Sequence, residues 1–302
     1  MKIEPVFYPG VGCIGLLLLS YAKYLHKEVD LIFSNSWSFK FDANSDLFSE
    51  SFGVEEKRMN DSAKRILGFD SEYFKIDNFK VFFERLQEEL RKNKPVILYI
   101  DSFYCPWHSR FEIDHGDHYI LACSISDENI ICIDPGFNDK GFEILPLTYL
   151  EKGCQNYYLI TENTDCEGTA SVVDYFSLYR MSVLDLKDSN IPNRIERFAK
   201  YLNEVFDDKF ESEAMHYNPW ASGVFQKLLN IAGSRRQFLI FLTYIKEKIQ
   251  IKNADYILKS LNQLSSKWDT VRWLLVKGIK EGNFNQKYRQ KIYQLFKDYC
   301  RI

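Results

Sequence analysis

Near residue 165 the chain changes its periodicity, and that change limits what it can fold into. Before it, short apolar runs alternate with helical stretches. Pro95–Ile100, His118–Cys123, Asn129–Ile133 and Gln155–Thr161 are rich in β-branched and aromatic residues and read as strands. Ser124–Glu128 is a polar turn, so residues 118–134 predict a β-hairpin. Two helices precede these strands. One covers about Cys13–Lys27. The other covers about Asn78–Lys92, with Phe79, Phe82, Phe83, Leu86 and Leu90 at helical spacing. After Thr161 the polar stretch Glu162–Ala170 reads as a linker, and the remainder is helical. Phe238, Phe241, Leu242, Ile245 and Ile249 share one face, and Ile257, Leu258, Leu261, Leu264 and Trp268 a second. Tyr288, Ile292, Leu295, Phe296 and Tyr299 form a third. Pro192 and Pro219 stand where helices can start. The sequence therefore predicts an α+β chain of two domains. Residues 1–165 carry an N-terminal helix and an antiparallel sheet, and residues 166–302 form an all-α domain of about five or six helices.

Composition narrows the function classes. The 302 residues are 46% apolar and include 24 Phe and 19 Tyr, which is ample core material and excludes general disorder. The 39 Lys+Arg against 42 Asp+Glu leave a net charge of −3. That gives no basic excess to offset a phosphate backbone, so no nucleic-acid partner is expected. The seven cysteines are odd in number and scattered, and none forms a C-x-x-C pair, which argues against a disulfide framework and a zinc ribbon. The longest apolar run, Val11–Tyr21, is too short to span a bilayer. The segment before it holds one Lys, one Glu and two prolines, and no small-residue cleavage site follows. A soluble, cytoplasmic chain with no membrane partner is expected.

Three segments can carry chemistry. In Pro9-Gly-Val-Gly-Cys13 a glycine-rich turn runs into an apolar helix, with Cys13 at or near its first position. The positive end of the helix dipole and unpaired N–H groups there favour a thiolate nucleophile. A small buried cysteine at a helix start is the plainer reading of that motif alone. His118 opens one strand of the hairpin, and Asp134 closes its partner just before Pro135-Gly136. The two then lie at one open end, where a carboxylate can hold an imidazole in one tautomer. Taken singly, each is an ordinary strand-edge or turn residue. The third segment, Asp101-Ser-Phe-Tyr-Cys-Pro-Trp-His108, is aromatic and polar and leads to the histidine segment. Asp101, Tyr104, Trp107 and Asp117 are candidates to contact substrate. Cys105, His108 and His115 match no established zinc spacing, so no metal is expected.

A helix-start cysteine, a strand-start histidine and an Asp-Pro sixteen residues later resemble the papain-like cysteine peptidases, and most closely their bacteriocin leader-processing branch. Ile100–His108 and Gly116-Asp-His-Tyr-Ile120 resemble more specifically the N-terminal domain of the butirosin acyltransferase-like family. Its members move an acyl group from a carrier-protein thioester to an amine. The resemblance covers about residues 5–160 and leaves the helical part unmatched. It implies a papain-like fold with Cys13 as nucleophile, His118 as general base and Asp134 as orienting acid. One departure stands out. Papain-like peptidases place a Gln shortly before the cysteine to hold the oxyanion, whereas Val6–Gly12 contains neither Gln nor Asn. Tyr8 is the candidate replacement beside the Cys13 N–H. A lost oxyanion donor costs roughly 3–4 kcal/mol, which an already activated thioester tolerates better than a peptide.

The resemblance thus implies a cysteine-dependent acyltransferase that forms an amide, with no cofactor. Its partners would be an acyl or peptidyl carrier protein with a phosphopantetheine-bound chain and a small amine. Phe- and Tyr-rich segments near 37–48 and 103–107 are expected to shield the site, with the helical domain as a lid. Asp101, Asp114 and Asp117 would attract a diamine. The rivals are a cysteine peptidase or thioesterase using the same triad, and a non-catalytic binding module.

Overall fold

The computed structural model describes residues 1–54, 66–138, 141–162, 174–188, 190–204, 222–281 and 286–299. The chain is mixed α+β and divides into two units. One comprises Met1–Val29 with Ala63–Ala170, the other Asp30–Ser62 with Ser171–Ile302.

The first unit contains helix α1 (Cys13–Tyr24), which buries Leu16, Leu17, Leu19 and Ala22. Ser20 ties the N-terminal segment to this helix. Its Oγ accepts from the Val6 N–H at 3.0 Å and donates to the Leu16 carbonyl at 2.8 Å. Beside α1 lies a six-stranded antiparallel sheet of order β3-β8-β4-β5-β6-β7. Its strands are β3 (Phe69–Lys75), β4 (Val96–Asp101), β5 (Asp117–Ser126), β6 (Asn129–Ile133), β7 (Glu143–Pro146) and β8 (Asn156–Glu162). β4 is apolar without alternation because Val96 to Ile100 are buried on both faces. Helix α3 (Phe79–Arg91) is capped by Asn78, whose side chain accepts from the Val81 N–H at 3.2 Å. Its Phe82 and Leu86 join Leu98, Ile100, Ile120 and Ala122 in one core, each such burial contributing roughly 1.5–3 kcal/mol. A short helix α4 (Leu147–Gly153) leads into β8.

The sheet differs from the sequence reading at its two edges. β3 and β7 were not predicted. Edge strands face solvent and carry charge or proline, so Phe69-Asp-Ser-Glu-Tyr-Phe-Lys75 and Glu143-Ile-Leu-Pro146 lack the apolar signature of a buried strand. The 118–134 hairpin forms with a tighter turn than expected. Its strands run to Ser126 and resume at Asn129, and Asp127 takes φ 49° between them.

The second unit joins residues 30–54 to the C-terminal helices. A two-residue strand β1 (Lys40–Phe41) pairs antiparallel with β2 (Phe52–Gly53), and α2 (Phe48–Ser51) precedes β2. The helices are α5 (Tyr175–Asp188), α6 (Ile191–Glu204), α7 (Gly223–Lys248), α8 (Ala254–Lys280) and α9 (Gln286–Tyr299). Pro192 falls at the second position of α6, as a helix start requires. Phe238, Phe241, Leu242 and Ile245 of α7 are buried, as are Leu264 and Trp268 of α8 and Ile292 and Phe296 of α9. Pro219 and the expected linker lie outside the described residues.

The unit assignment of residues 30–54 departs from a division at 165, and aromatic packing is the reason. Phe198 of α6 meets Phe52 at 4.8 Å, Phe39 at 5.7 Å and Phe296 at 5.7 Å between ring centroids. Arg235 of α7 is fully buried, donates to the Ser38 carbonyl at 2.8 Å and stacks 4.6 Å from the Trp37 ring. Trp37, Phe39 and Phe48 are thus core residues of the helical unit, not the pocket wall expected of segment 37–48.

Candidate active site

Cys13 is delivered by backbone geometry. Tyr8-Pro9-Gly10-Val11 forms a turn in which Pro9 fixes the second position and Gly10 adopts φ 72° at the third, closed by the Val11 N–H on the Tyr8 carbonyl at 3.2 Å. Gly12 is then the N-cap of α1 with extended φ −70° and ψ 165°, and no side chain caps the helix. Cys13 is the first helical residue and its side chain is exposed. A Cβ placed on Gly12 would meet nothing within 4 Å, so the approach to the helix start is open. A thiol here faces the unpaired N–H groups and positive pole of the helix.

His118 is the second residue of β5 and pairs with Ile100 of β4. Asp134 follows the end of β6. A bulge between Ala122 and Ser124 brings them together. Below it Ser124 pairs with Ile131; above it Leu121 pairs with Ile133. Carried one residue further, the upper register sets Asp134 opposite Ile120, on the same face as His118 and diagonal to it. Without the bulge Asp134 would fall opposite Leu121 and point to the other face.

The resulting contact is short. His118 Nε2 lies 2.6 Å from Asp134 Oδ2, with only 3% and 2% of the two side chains exposed. Trp107 Nε1–H donates to the same oxygen at 2.7 Å. Cys13 is the other side chain that favours the charged form of His118. Because Nε2 is held by the carboxylate, Nδ1 is the nitrogen left for a second partner. Burial opposes a charge on His118, but the hydrogen bonds to Asp134 and Cys13 outweigh it and raise its pKa to about 9.

Further side chains line this pair. Phe137 sits edge-on to the His118 ring at 5.3 Å and 4.5 Å from His108, whose own ring is 5.0 Å from His118. His108 Nδ1 accepts from the Arg110 N–H at 3.1 Å. Burial, with the charges of His118 and Arg110, lowers its pKa. Cys105 is fully buried near the same carboxylate. Burial pushes its thiol to about 12, and Asp134 adds to the effect, so Cys105 is a poor nucleophile and Cys13 the accessible one.

The donor atoms of Cys105, His118 and Asp134 lie within 4.8 Å of one another, a group that could hold a metal ion. The fit is poor. The 2.6 Å between Nε2 and Oδ2 is a hydrogen-bond distance, shorter than the roughly 3.3 Å between two ligands of tetrahedral zinc. A metal would also have to remove the Cys105 proton.

The other candidate residues have duties of their own. Asp101 Oδ2 holds His115 Nδ1 at 2.6 Å, and its Oδ1 accepts from the N–H groups of Phe103 and Gly116 at 3.1 and 3.2 Å. Asp101 thus shapes the loop between β4 and β5. Asp117 is exposed and accepts from the Tyr99 hydroxyl at 3.1 Å. Asp114 is exposed, 3.9 Å from Arg110. Tyr104 packs on the core beside Gly153, where a Cβ would come within 2.9 Å of it. Trp107 serves Asp134, and Tyr8 supplies the turn carbonyl before α1. Cys105 and His108 fall in the Asp101–His108 segment that the sequence marked as able to carry chemistry, though it gave them no role beyond a rejected metal site, and Phe137 carried no signal. Among the described residues, no helix is long and apolar enough to cross a membrane. No protein-family model matches this chain, and no curated protein matches it at a significant level.

Proposed function

We propose that this chain is a cysteine-dependent acyltransferase that forms amides from carrier-bound thioesters. The observation that carries this reading is a buried His118 hydrogen-bonded at 2.6 Å to a buried Asp134, with the exposed helix-start Cys13 as a further influence on the imidazole. That is an activated nucleophile with its base and the base's orienting acid. The papain-like architecture implied by the sequence resemblance belongs to the same proposal. So does the closer likeness to the amide synthase of closthioamide assembly, which joins carrier-bound poly-β-alanine thioamide chains to diaminopropane.

In the first step the Cys13 sulfur, its proton transferred to His118, attacks the thioester carbonyl. The pantetheine thiolate leaves and takes the proton from His118, and an acyl-Cys13 thioester results. In the second step an amine attacks that carbonyl and gives its proton to His118. Cys13 leaves as the thiolate and recovers the proton, and the amide departs. The Cys13 N–H at the uncapped helix start supports the oxyanion, with Tyr8, in the turn that delivers Cys13, as the proposed second donor.

The test is product analysis of an acyl-pantetheine thioester incubated with diaminopropane. Wild type should release the amide, and Cys13→Ser should release none above background. Release of free acid alone, unchanged by amine, would convert the reading to a hydrolase. No consumption of thioester would remove acyl transfer altogether.

A further inference from the structure

Two proline turns frame His118. In Cys105-Pro-Trp-His108 the His108 N–H closes on the Cys105 carbonyl at 2.9 Å, and in Asp134-Pro-Gly-Phe137 the Phe137 N–H closes on the Asp134 carbonyl at 3.1 Å. Each turn has proline at its second position, where the ring presets φ. Each also serves the His118–Asp134 pair. Trp107 of the first donates to Asp134, and Asp134 itself opens the second. The last residue of each turn sets a ring against His118. His108 lies 5.0 Å and Phe137 5.3 Å from it, and the two are 4.5 Å apart. Both rings are held by backbone hydrogen bonds yet reach solvent, since His108 is half-buried and 47% of Phe137 is exposed.

The polarity of His108 is fixed as well. Its Nδ1 accepts from the Arg110 N–H at 3.1 Å, so the ring carries its proton on Nε2. Protonating Nδ1 would break that bond, and burial with the charges of His118 and Arg110 opposes it further. Among the described residues, Nε2–H has no acceptor. A half-buried donor with no protein acceptor, held in contact with the proposed general base, suits a hydrogen-bond acceptor on a bound substrate. It does not suit an ammonium group, which offers donors alone.

We infer that His108 Nε2–H holds the cysteamine amide carbonyl of the donor's pantetheine arm, and so selects pantetheine thioesters over simple alkyl thioesters. This rests on the proposed acyl transfer, in which His118 returns a proton to the departing pantetheine sulfur and that sulfur must therefore come to it. The first acceptor along the arm from the sulfur is the cysteamine amide carbonyl. Its oxygen lies about 5 Å from the sulfur in an extended arm, the same scale as the 5.0 Å between the His118 and His108 rings. The two methylenes between sulfur and amide are apolar and suit the exposed Phe137 ring beside them. The oxyanion has its own donor in the Cys13 N–H and makes no demand on His108.

The test uses the full chain, diaminopropane and two donors with the same acyl group. One is the N-acetylcysteamine thioester, which keeps the arm's amide. The other is the S-pentyl thioester, of the same length with methylenes in its place. The quantity read is the ratio of their kcat/KM values, which cancels any partial loss of folded enzyme. Wild type should favour the N-acetylcysteamine thioester about 10-fold, the range of one good hydrogen bond. His108→Phe and His108→Leu, which keep bulk without an N–H, should bring the ratio to about one, mainly by raising KM for the amide donor. Long-range proton–nitrogen spectra of labelled wild type should show the His108 proton on Nε2. The inference is overturned by a wild-type ratio near one, by a ratio that both His108 variants leave unchanged, or by a proton found on Nδ1. A role limited to packing against His118 predicts the unchanged ratio, because both donors would then slow together. No turnover of either donor by wild type would remove the acyl-transfer reading and this inference with it. Turnover of both at equal kcat/KM would remove the inference alone.

Discussion

Replacing Asp134 by asparagine should collapse the unusual basicity of His118. Burial alone pulls this imidazole toward the neutral form, and the hydrogen bond to Asp134 is the largest influence holding it charged, followed by that to Cys13. Together they carry it from 6.5 to about 9. At about 1.36 kcal/mol per pKa unit this is on the order of 3 kcal/mol favouring the folded, protonated state. The folded pKa lies above the unfolded one, so the folded state binds the extra proton. The contribution is full below pH 6.5 and is lost as pH rises through about 9. The Asp134→Asn side chain would keep the shape and an acceptor oxygen but lose the charge. Burial then dominates, and His118 should titrate below 6.5. Carbon-13 labelling of the five histidines and proton–carbon spectra across pH 5–10 would follow this directly, with His118 assigned by His118→Gln. Wild-type stability toward urea should also fall by roughly 3 kcal/mol between pH 6.5 and 9 from this group, a slope that Asp134→Asn lacks. A wild-type His118 titrating near 6.5, or an unmoved value in Asp134→Asn, would refute the reasoning.

Other outcomes follow from neighbouring contacts. Trp107→Phe keeps the ring but removes one of the two donors to the Asp134 carboxylate. It should cost about 1–3 kcal/mol in a denaturant melt and lower turnover together with stability. Under brief iodoacetamide treatment at pH 7.5, Cys13 should be the first described cysteine labelled. Cys105, Cys123, Cys132 and Cys154 are buried, and burial raises all four thiols. Peptide mapping showing Cys105 labelled as fast as Cys13 would contradict the assignment of the nucleophile. Phe198→Ala should destabilise by about 3–5 kcal/mol, because that ring touches Phe39, Phe48, Phe52, Trp268 and Phe296. A shift in thermal midpoint of less than about 2 °C would show that this aromatic cluster is not the core of its unit.

What was legible in the sequence was local. The amphipathic spacing of Phe79, Phe82 and Leu86 and the β-rich runs at β4, β5 and β6 encode their elements through burial of adjacent side chains, and those elements formed. The edge strands β3 and β7 were silent because half their surface meets solvent, so their residues are polar. The union of residues 30–54 with the C-terminal helices was equally silent. Phe39 and Phe198 are separated by more than 150 positions in the chain, and no periodicity links them. At the site, the glycine turn before Cys13 and the hairpin ends at His118 and Asp134 could be read from residue chemistry. The bulge that turns Asp134 to the face of His118 could not, because an extra residue in a ladder leaves no mark in an apolar run such as Leu121-Ala-Cys123. Trp107 was read as a substrate contact because nothing in a linear segment shows that its indole N–H is used by a carboxylate twenty-seven residues away.

The most direct test of the central claim is intact-protein mass spectrometry of wild type and Cys13→Ala after incubation with an acyl-pantetheine thioester, before and after addition of diaminopropane. The account predicts one acyl adduct on wild type, absent from Cys13→Ala, that diamine discharges as the amide within the time that water alone leaves it intact. An adduct that persists in Cys13→Ala, or one discharged only to free acid at a rate indifferent to the amine, would contradict it.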